Sequence, residues 1–263
     1  MGAQEIGNAK KVLIEVRNLV AHYGTTKVLE DISFDVHEGE VFVIIGGSGC
    51  GKSTLLKHMC GLLTPTEGEV NYGEKNMAIL DEEERAQIQR NIGIAFQNSG
   101  LLNAMTVGDN VALPLREYGA VDEAMIDPLV RMKLSLVGLA ASQHLLPDEL
   151  SGGMRKRAGL ARALALDPPI IYFDEPSAGL DPIMASGLDE LILRLRRLLG
   201  ITFVIVTHEL ESIRSIADTI LMLDRGKAVF LGPLEEAETT APERVRQFFD
   251  RRPDDFIGQR NIE

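Results

Sequence analysis

The stretch Gly46-Gly47-Ser48-Gly49-Cys50-Gly51-Lys52-Ser53 combines the groups needed to hold a chain of phosphates. Glycines let backbone N–H groups turn inward around anionic oxygens, and the N-terminus of a following helix adds a favourable field. The string follows an apolar run, Val41 to Ile45, and precedes an apolar helical pattern, which is the setting such a loop requires. Lys52 is then placed to contact β- and γ-phosphates, and the Ser53 hydroxyl, with Thr54 beside it, to ligate Mg2+. Further along, Ile170-Ile171-Tyr172-Phe173 runs into Asp174-Glu175. An apolar strand ending in two carboxylates suits a metal held by Asp174, directly or through water, and a water polarised by Glu175. Taken alone, such an acid pair more often opens a helix; the phosphate loop upstream reverses that preference. Ser151-Gly152-Gly153, at the start of a helical stretch carrying Arg155, Lys156, Arg157 and Arg162, offers a second anion-binding helix end, although an N-cap followed by glycines is its ordinary reading. The basic residues themselves read mainly as a solvated face with some ion pairs.

The elements that must position these groups follow from hydrophobic patterning. Val41 to Ile45, Ile170 to Phe173 and Phe203 to Val206 are short continuous β-branched or aromatic runs, as parallel strands buried on both faces are, with active residues at their carboxyl ends. Val12 to Arg17 and Val28 to Val36 alternate imperfectly and read as an antiparallel layer with one wet face. Between Gln97 and Leu166 the spacing becomes helical, including Ala124 to Leu139, which predicts a helical subdomain over about 98–166 inserted in the α/β core. Met184 to Leu199 places apolar residues at 188, 191, 192, 195, 198 and 199, an amphipathic helix preceded by Asp181 and Pro182. After Gly232 the chain turns polar and charged, and Arg251 to Glu263 reads as an extended tail. The expected organisation is one nucleotide-binding unit over 12–240 and a C-terminal extension over 241–263.

Composition bounds the function. A chain of 263 residues, 45% hydrophobic, can bury one sizeable core. With 39 Asp and Glu against 27 Lys and Arg, its net charge of -12 repels nucleic acid and anionic lipid surfaces. Met1 to Lys11 lacks the apolar core of a secretory signal. The longest apolar runs fall far short of the roughly 20 residues that span a bilayer, so any membrane role is expected to act through a partner. Cys50 and Cys60 flank one helix roughly 15 Å apart, too far for a disulfide, and a reducing cytosol is the expected compartment. Cys50, inside the loop, is expected to react with a thiol reagent unless nucleotide is bound.

The Ser-Gly-Gly helix start, lying between the phosphate loop and the Asp-Glu strand, resembles the signature motif of ABC ATPases. That resemblance implies an α/β fold: a P-loop NTPase core with a mixed sheet, an N-terminal antiparallel β layer and an inserted α-helical subdomain. It implies ATP and Mg2+ as cofactors, with Tyr23, Gly46, Gly47, Ser48, Gly49, Cys50, Gly51, Lys52, Ser53 and Thr54 binding the nucleotide and Tyr23 stacking on adenine. Ser151, Gly152 and Gly153 would bind the γ-phosphate held by a second copy, so that a head-to-tail homodimer completes two sites. Gln97, after Ile92 to Phe96, resembles the Q-loop glutamine, which with Ser53 and Asp174 addresses Mg2+ and links to the transporter. Ser177 to Asp181 resembles the D-loop, Asp181 reaching across the dimer, and His208 resembles the switch histidine that acts with Glu175. The family usually has Gln where this chain has Met154, so one expected side-chain hydrogen bond is absent. The resemblance extends over Val12 to Gly232.

Within the family, Pro147 to Arg157, Val111 to Glu117 and Gly179 to Ile183 look like the bacterial Mla/Mkl group, ATPases of phospholipid or related lipid transporters. That implies a place on the cytoplasmic side of the inner membrane, held by a permease dimer that docks near Gln97 to Tyr118. A periplasmic MCE-domain protein and a small STAS-domain protein would join. Separately, the absence of a local core in the Pro253 to Glu263 tail leaves two readings, a segment that clasps the opposite subunit or a disordered end. Two other classes share the motifs: the ATPase of a small-solute importer, and a soluble ABC ATPase such as an iron-sulfur assembly factor.

Overall fold

The computed structural model describes residues 11–119 and 121–252. Val12–Tyr23 (β1) and Thr26–His37 (β2) form a long antiparallel hairpin, with Tyr23 paired to Thr26 at its tip. Register shifts along it keep Ile14, Val16, Leu19, Leu29, Ile32, Phe34 and Val36 on the buried face, each worth about 1.5–3 kcal/mol of transfer from water. Val41–Gly46 (β3) is buried throughout and leads into Lys52–Met59 (α1). Glu67–Tyr72 (β4) and Lys75–Asn76 (β5) complete a sheet of order β2-β1-β4-β5.

Glu82–Gln89 (α2), capped by Asp81, precedes Ile92–Ala95 (β6). Then come Val107–Tyr118 (α3), capped by Thr106, Glu123–Leu136 (α4) and Gly152–Ala163 (α5), capped by Ser151. The remaining elements are Ile170–Asp174 (β7), Pro182–Leu199 (α6), Thr202–Val206 (β8), Leu210–Ile216 (α7), Thr219–Asp224 (β9) and Lys227–Pro233 (β10), followed by Leu234–Thr239 (α8) and Glu243–Phe249 (α9).

The second sheet has order β10-β9-β3-β8-β7-β6, parallel except for the antiparallel edge strand β10. Its strands feed two cores by alternation. Val43, Ile45, Ile171, Phe173, Phe203 and Ile205 face α3 to α6, while Phe42, Ile44, Ile170, Tyr172, Val204 and Val206 face α1 and the antiparallel sheet. Phe34 stacks on Phe42 at 5.1 Å, joining the layers. The mixed sheet, the antiparallel layer and the helices between β6 and β7 match the expected fold class.

Two sequence expectations change. Leu188, Leu191, Ile192 and Leu195 of α6 are buried as its periodicity predicts, but Leu198 and Leu199 are exposed, because the last turn ends at the left-handed Gly200 beyond the packed face. The polar stretch after Gly232 contains α8 and α9, and these helices and the turn between them bury Ala237, Ala241, Val245 and Phe249 in the larger core. Of the tail expected over 251–263 only Arg251 and Arg252 are described, and the segment over 253–263 expected to clasp a second copy lies outside the described residues.

Candidate active site

Parallel register brings the carboxyl ends of four strands to one edge: Ile44 and Asp174 each pair with Val206, and Ala95 pairs with Phe173. Just beyond those ends lie the phosphate loop, Asp174-Glu175, His208 and Gln97. This edge is where open α/β sheets bind ligands.

The loop's backbone admits only glycine at two positions. Gly46 has φ 143, where a Cβ would lie 2.7 Å from Cys50 Sγ, and Gly51 has φ 108, where one would lie 2.6 Å from Leu29 Cδ2. Lys52 Nζ donates to Gly46 O at 2.8 Å and Gly47 O at 2.9 Å, so the ammonium arches over its own loop. Gly47, Ser48, Gly49 and Ser53 are exposed, while Lys52 and Thr54 are half-buried. Cys50 is the correction here. Its thiol is buried, packed on Gly46, and burial raises its pKa, both of which work against the reaction with a thiol reagent expected from sequence.

The acid pair is poised for something the protein does not supply. Asp174 Oδ1 and Glu175 Oε2 are buried without a hydrogen-bond partner. Burial, then the neighbouring Glu175, raises the Asp174 carboxyl, while Lys52, Lys57 and Lys156 pull it down. Glu175 sits in the left-handed region at φ 49, its N–H held by Val206 O at 2.8 Å. Its Oε1 accepts from His208 Nδ1 at 2.9 Å. The orphaned oxygen of Asp174, a carboxylate near enough to Lys52 to be pulled down by its charge, fits an Mg2+ that would take few protein ligands and leave its other positions to phosphate and water. No cluster of three or more metal-ligating side chains exists among the described residues, as that mode of binding requires none.

One cleft is lined by Gly46, Gly47, Ser48, Lys52, Glu175 and His208, and its far wall is Phe248, Phe249, Asp250 and Arg251 at the end of α9. Other sequence-predicted residues stand outside it. Ser151, Gly152 and Gly153 begin α5 beside the Ser177–Asp181 loop, where Ser151 Oγ accepts from Met154 N at 3.3 Å and a Cβ at Gly152 would lie 3.5 Å from Leu180 Cδ2. Met154 is half-buried against the larger core. Asp181 Oδ1 accepts from Ile183 N and Met184 N at 3.0 Å, capping α6. Tyr23 is 56% exposed at the hairpin tip, and Gln97 is exposed beyond β6. Lys156 connects Gln97 to the cleft: this buried ammonium donates to Gln97 O at 2.6 Å and Glu175 O at 2.8 Å. From sequence, Lys156 reads only as part of a mainly solvated basic face, which its burial corrects, and the α9 wall is not singled out. The available signals are helical spacing: Lys156 with Gly159, Leu160 and Ala163, and Val245 with Phe248 and Phe249.

Residues 29–178 match the family model described as ABC transporter, more than half of the chain. The chain belongs to the ABC transporter family. It is 42% identical to the probable ribonucleotide transport ATP-binding protein mkl of Mycobacterium leprae over 94% of this chain and 71% of that protein. It is 39% identical to the intermembrane phospholipid transport system ATP-binding protein MlaF of Haemophilus influenzae over 92% of each. Among solved structures it resembles the ATP-binding cassette MJ0796, determined as a dimeric post-hydrolysis state with ADP and Pi, at a TM-score of 0.77 and 32% identity over 84% of this chain and 98% of that one. The chain is thus an ATP-hydrolysing enzyme, an ABC transporter ATPase of the Mla/Mkl type. No described helix is long and apolar enough to cross a membrane.

Proposed function

We propose that two copies of this chain bind MgATP head-to-tail and hydrolyse it to drive a transporter that moves phospholipids between membranes. The observation that carries the shared site is the incompleteness of the cleft: Lys52, Glu175 and His208 line it, whereas Ser151, Gly152 and Gly153 do not. A second copy's α5 N-terminus supplies the missing face for the γ-phosphate, its donors being the Ser151 hydroxyl and the N–H groups that follow. In this reading Lys52 leaves the Gly46 and Gly47 carbonyls for the β- and γ-phosphates, and the other loop residues, Ser48 through Thr54, line the phosphate path. Tyr23 stacks on adenine. Glu175 accepts a hydrogen bond from the attacking water, with His208 holding its carboxylate and reaching the γ-phosphate. Asp174, Ser53 and Gln97 hold Mg2+, which when bound neutralises charge on the transferring phosphoryl group. Asp181, besides capping α6, contacts the second copy.

Likeness to the MlaF relative across 92% of both chains supports a phospholipid cargo. The partners are then a permease dimer, a periplasmic MCE-domain protein and a STAS-domain protein, with this chain on the cytoplasmic side of a bacterial inner membrane. A groove between α2, β6 and α3, lined by Leu62, Arg90, Phe96, Pro114, Tyr118 and Arg162, supports docking of a permease helix near Gln97 to Tyr118. The mkl name favours a ribonucleotide cargo instead. Purification of the tagged native complex from membranes in mild detergent, with mass spectrometry of proteins and small molecules, separates the readings. An MCE-domain protein with phospholipid is expected; a solute-importer permease, bound ribonucleotide cargo or no membrane partner overturns the lipid assignment.

A further inference from the structure

Lys156 lies in a run of basic residues yet is only 7% exposed, whereas Arg155 and Arg157 on either side are half-buried. Burying an ammonium is costly unless its donors are used. Here they are used on backbone carbonyls just past two different strands: Gln97 O at 2.6 Å, beyond β6, and Glu175 O at 2.8 Å, beyond β7. The segment after Gln97 is fastened to the same helix further along. A Cβ at Gly159 would lie 2.7 Å from Ser99 O, so only glycine lets the two backbones meet, and Arg162 Nη1 donates to Gly100 O. Positions 156, 159 and 162 of α5 thus hold residues 97, 99 and 100 in succession. Glu175 is gripped from both sides, its N–H by Val206 O and its carbonyl by Lys156, while its backbone occupies the left-handed region that a glutamate adopts only when held.

We propose that Lys156 is a positioning residue for ATP hydrolysis: by clamping the backbones of Gln97 and Glu175 to α5, it fixes the side chain that addresses the attacking water, Glu175, and one that holds Mg2+, Gln97. The inference rests on the roles given above to Glu175 and Gln97. It also gives α5 two tasks, since its N-terminus faces the ATP of the second copy while Lys156, just over one turn on, holds the hydrolytic residues of its own chain.

The test is steady-state ATP hydrolysis by the full-length chain in the complex with which it purifies. Lys156→Met keeps the aliphatic stem and removes the donors. It is expected to lower kcat by ~10–100-fold, the scale of a small misplacement of reacting groups, with the KM for ATP within about twofold of wild type. Lys156→Arg, which restores two donors, is expected to recover most of kcat; a loss of general stability alone would not give this split or this rescue. If Lys156→Met does not fold, Lys156→Gln replaces it, with a kcat between those of wild type and a donor-free residue. Wild-type kcat in the Met or Gln variant, or a change confined to KM, overturns the role of Lys156. Glu175→Gln in parallel separates the layers: if it turns over normally the hydrolytic assignment itself fails, whereas an inactive Glu175→Gln beside an unimpaired Lys156→Met removes only the clamp.

Discussion

Asp189, on α6, is 5% exposed and its Oδ1 has no partner. Burial pushes its carboxyl from 3.8 up to about 6, with the Ser212 hydroxyl of α7 pulling the other way. Ser212 Oγ in turn lies 3.5 Å from Ser177 Oγ, at the start of the Ser177–Asp181 loop, and can accept from it. Between about pH 4 and 6 the folded chain keeps a proton that the unfolded chain has lost, so this group's contribution to stability falls as pH rises through that window. Above it the charged form is carried at a cost. Asp189→Asn is therefore expected to raise stability at pH ~7.5 by ~1–3 kcal/mol and to lose most of that gain near pH ~4. Thermal melts of both proteins across that range check it; a gain independent of pH contradicts the assignment. Asp189 and Lys156 also mark the limit of sequence reading at this scale. The phosphate loop and the Asp174-Glu175 pair could be picked out because their chemistry demands fixed types at fixed spacing, whereas His208 came only from the family resemblance. A lysine in a basic run or an aspartate on an amphipathic helix reads as solvated, and only tertiary packing buries it.

Among elements, α8 and α9 were the least legible. Their apolar residues are diluted by charge, and the amphipathic turns are too short for periodicity to stand out, whereas the continuous runs of β3, β7 and β8 declare a doubly buried sheet. Yet Val245 is wholly buried and Phe249 nearly so, and Arg244 Nη2 donates to Asp224 Oδ1 at 3.1 Å, tying α9 to β9. A chain ending at Thr240 loses these contacts and the wall that α9 contributes to the cleft. It is expected to unfold with a stability reduced by at least ~2–5 kcal/mol, the cost of emptying a core site of that size. Urea titrations of the truncated and full chains measure this directly. Equal midpoints would place everything from residue 241 onward outside the folding unit, as the polar composition alone suggests.

At the scale of the whole molecule, one chain carries one phosphate loop and one signature turn, and the fold holds the turn outside the cleft that the loop lines. Each copy bears a net charge of -12, so close association of two copies works against mutual repulsion. In the shared site proposed above, ATP would be bound from both sides before hydrolysis and the separated products would not, which would give the dimer two states of different stability. The measurement that bears most directly on this is made with Glu175→Gln: phosphate release, and molar mass by light scattering, with and without MgATP. The expected result is turnover lowered by ~10²–10⁴-fold together with a dimer that forms only when MgATP is present. Wild-type turnover, or a chain that stays monomeric at saturating MgATP, would contradict a shared site with Glu175 acting on the attacking water.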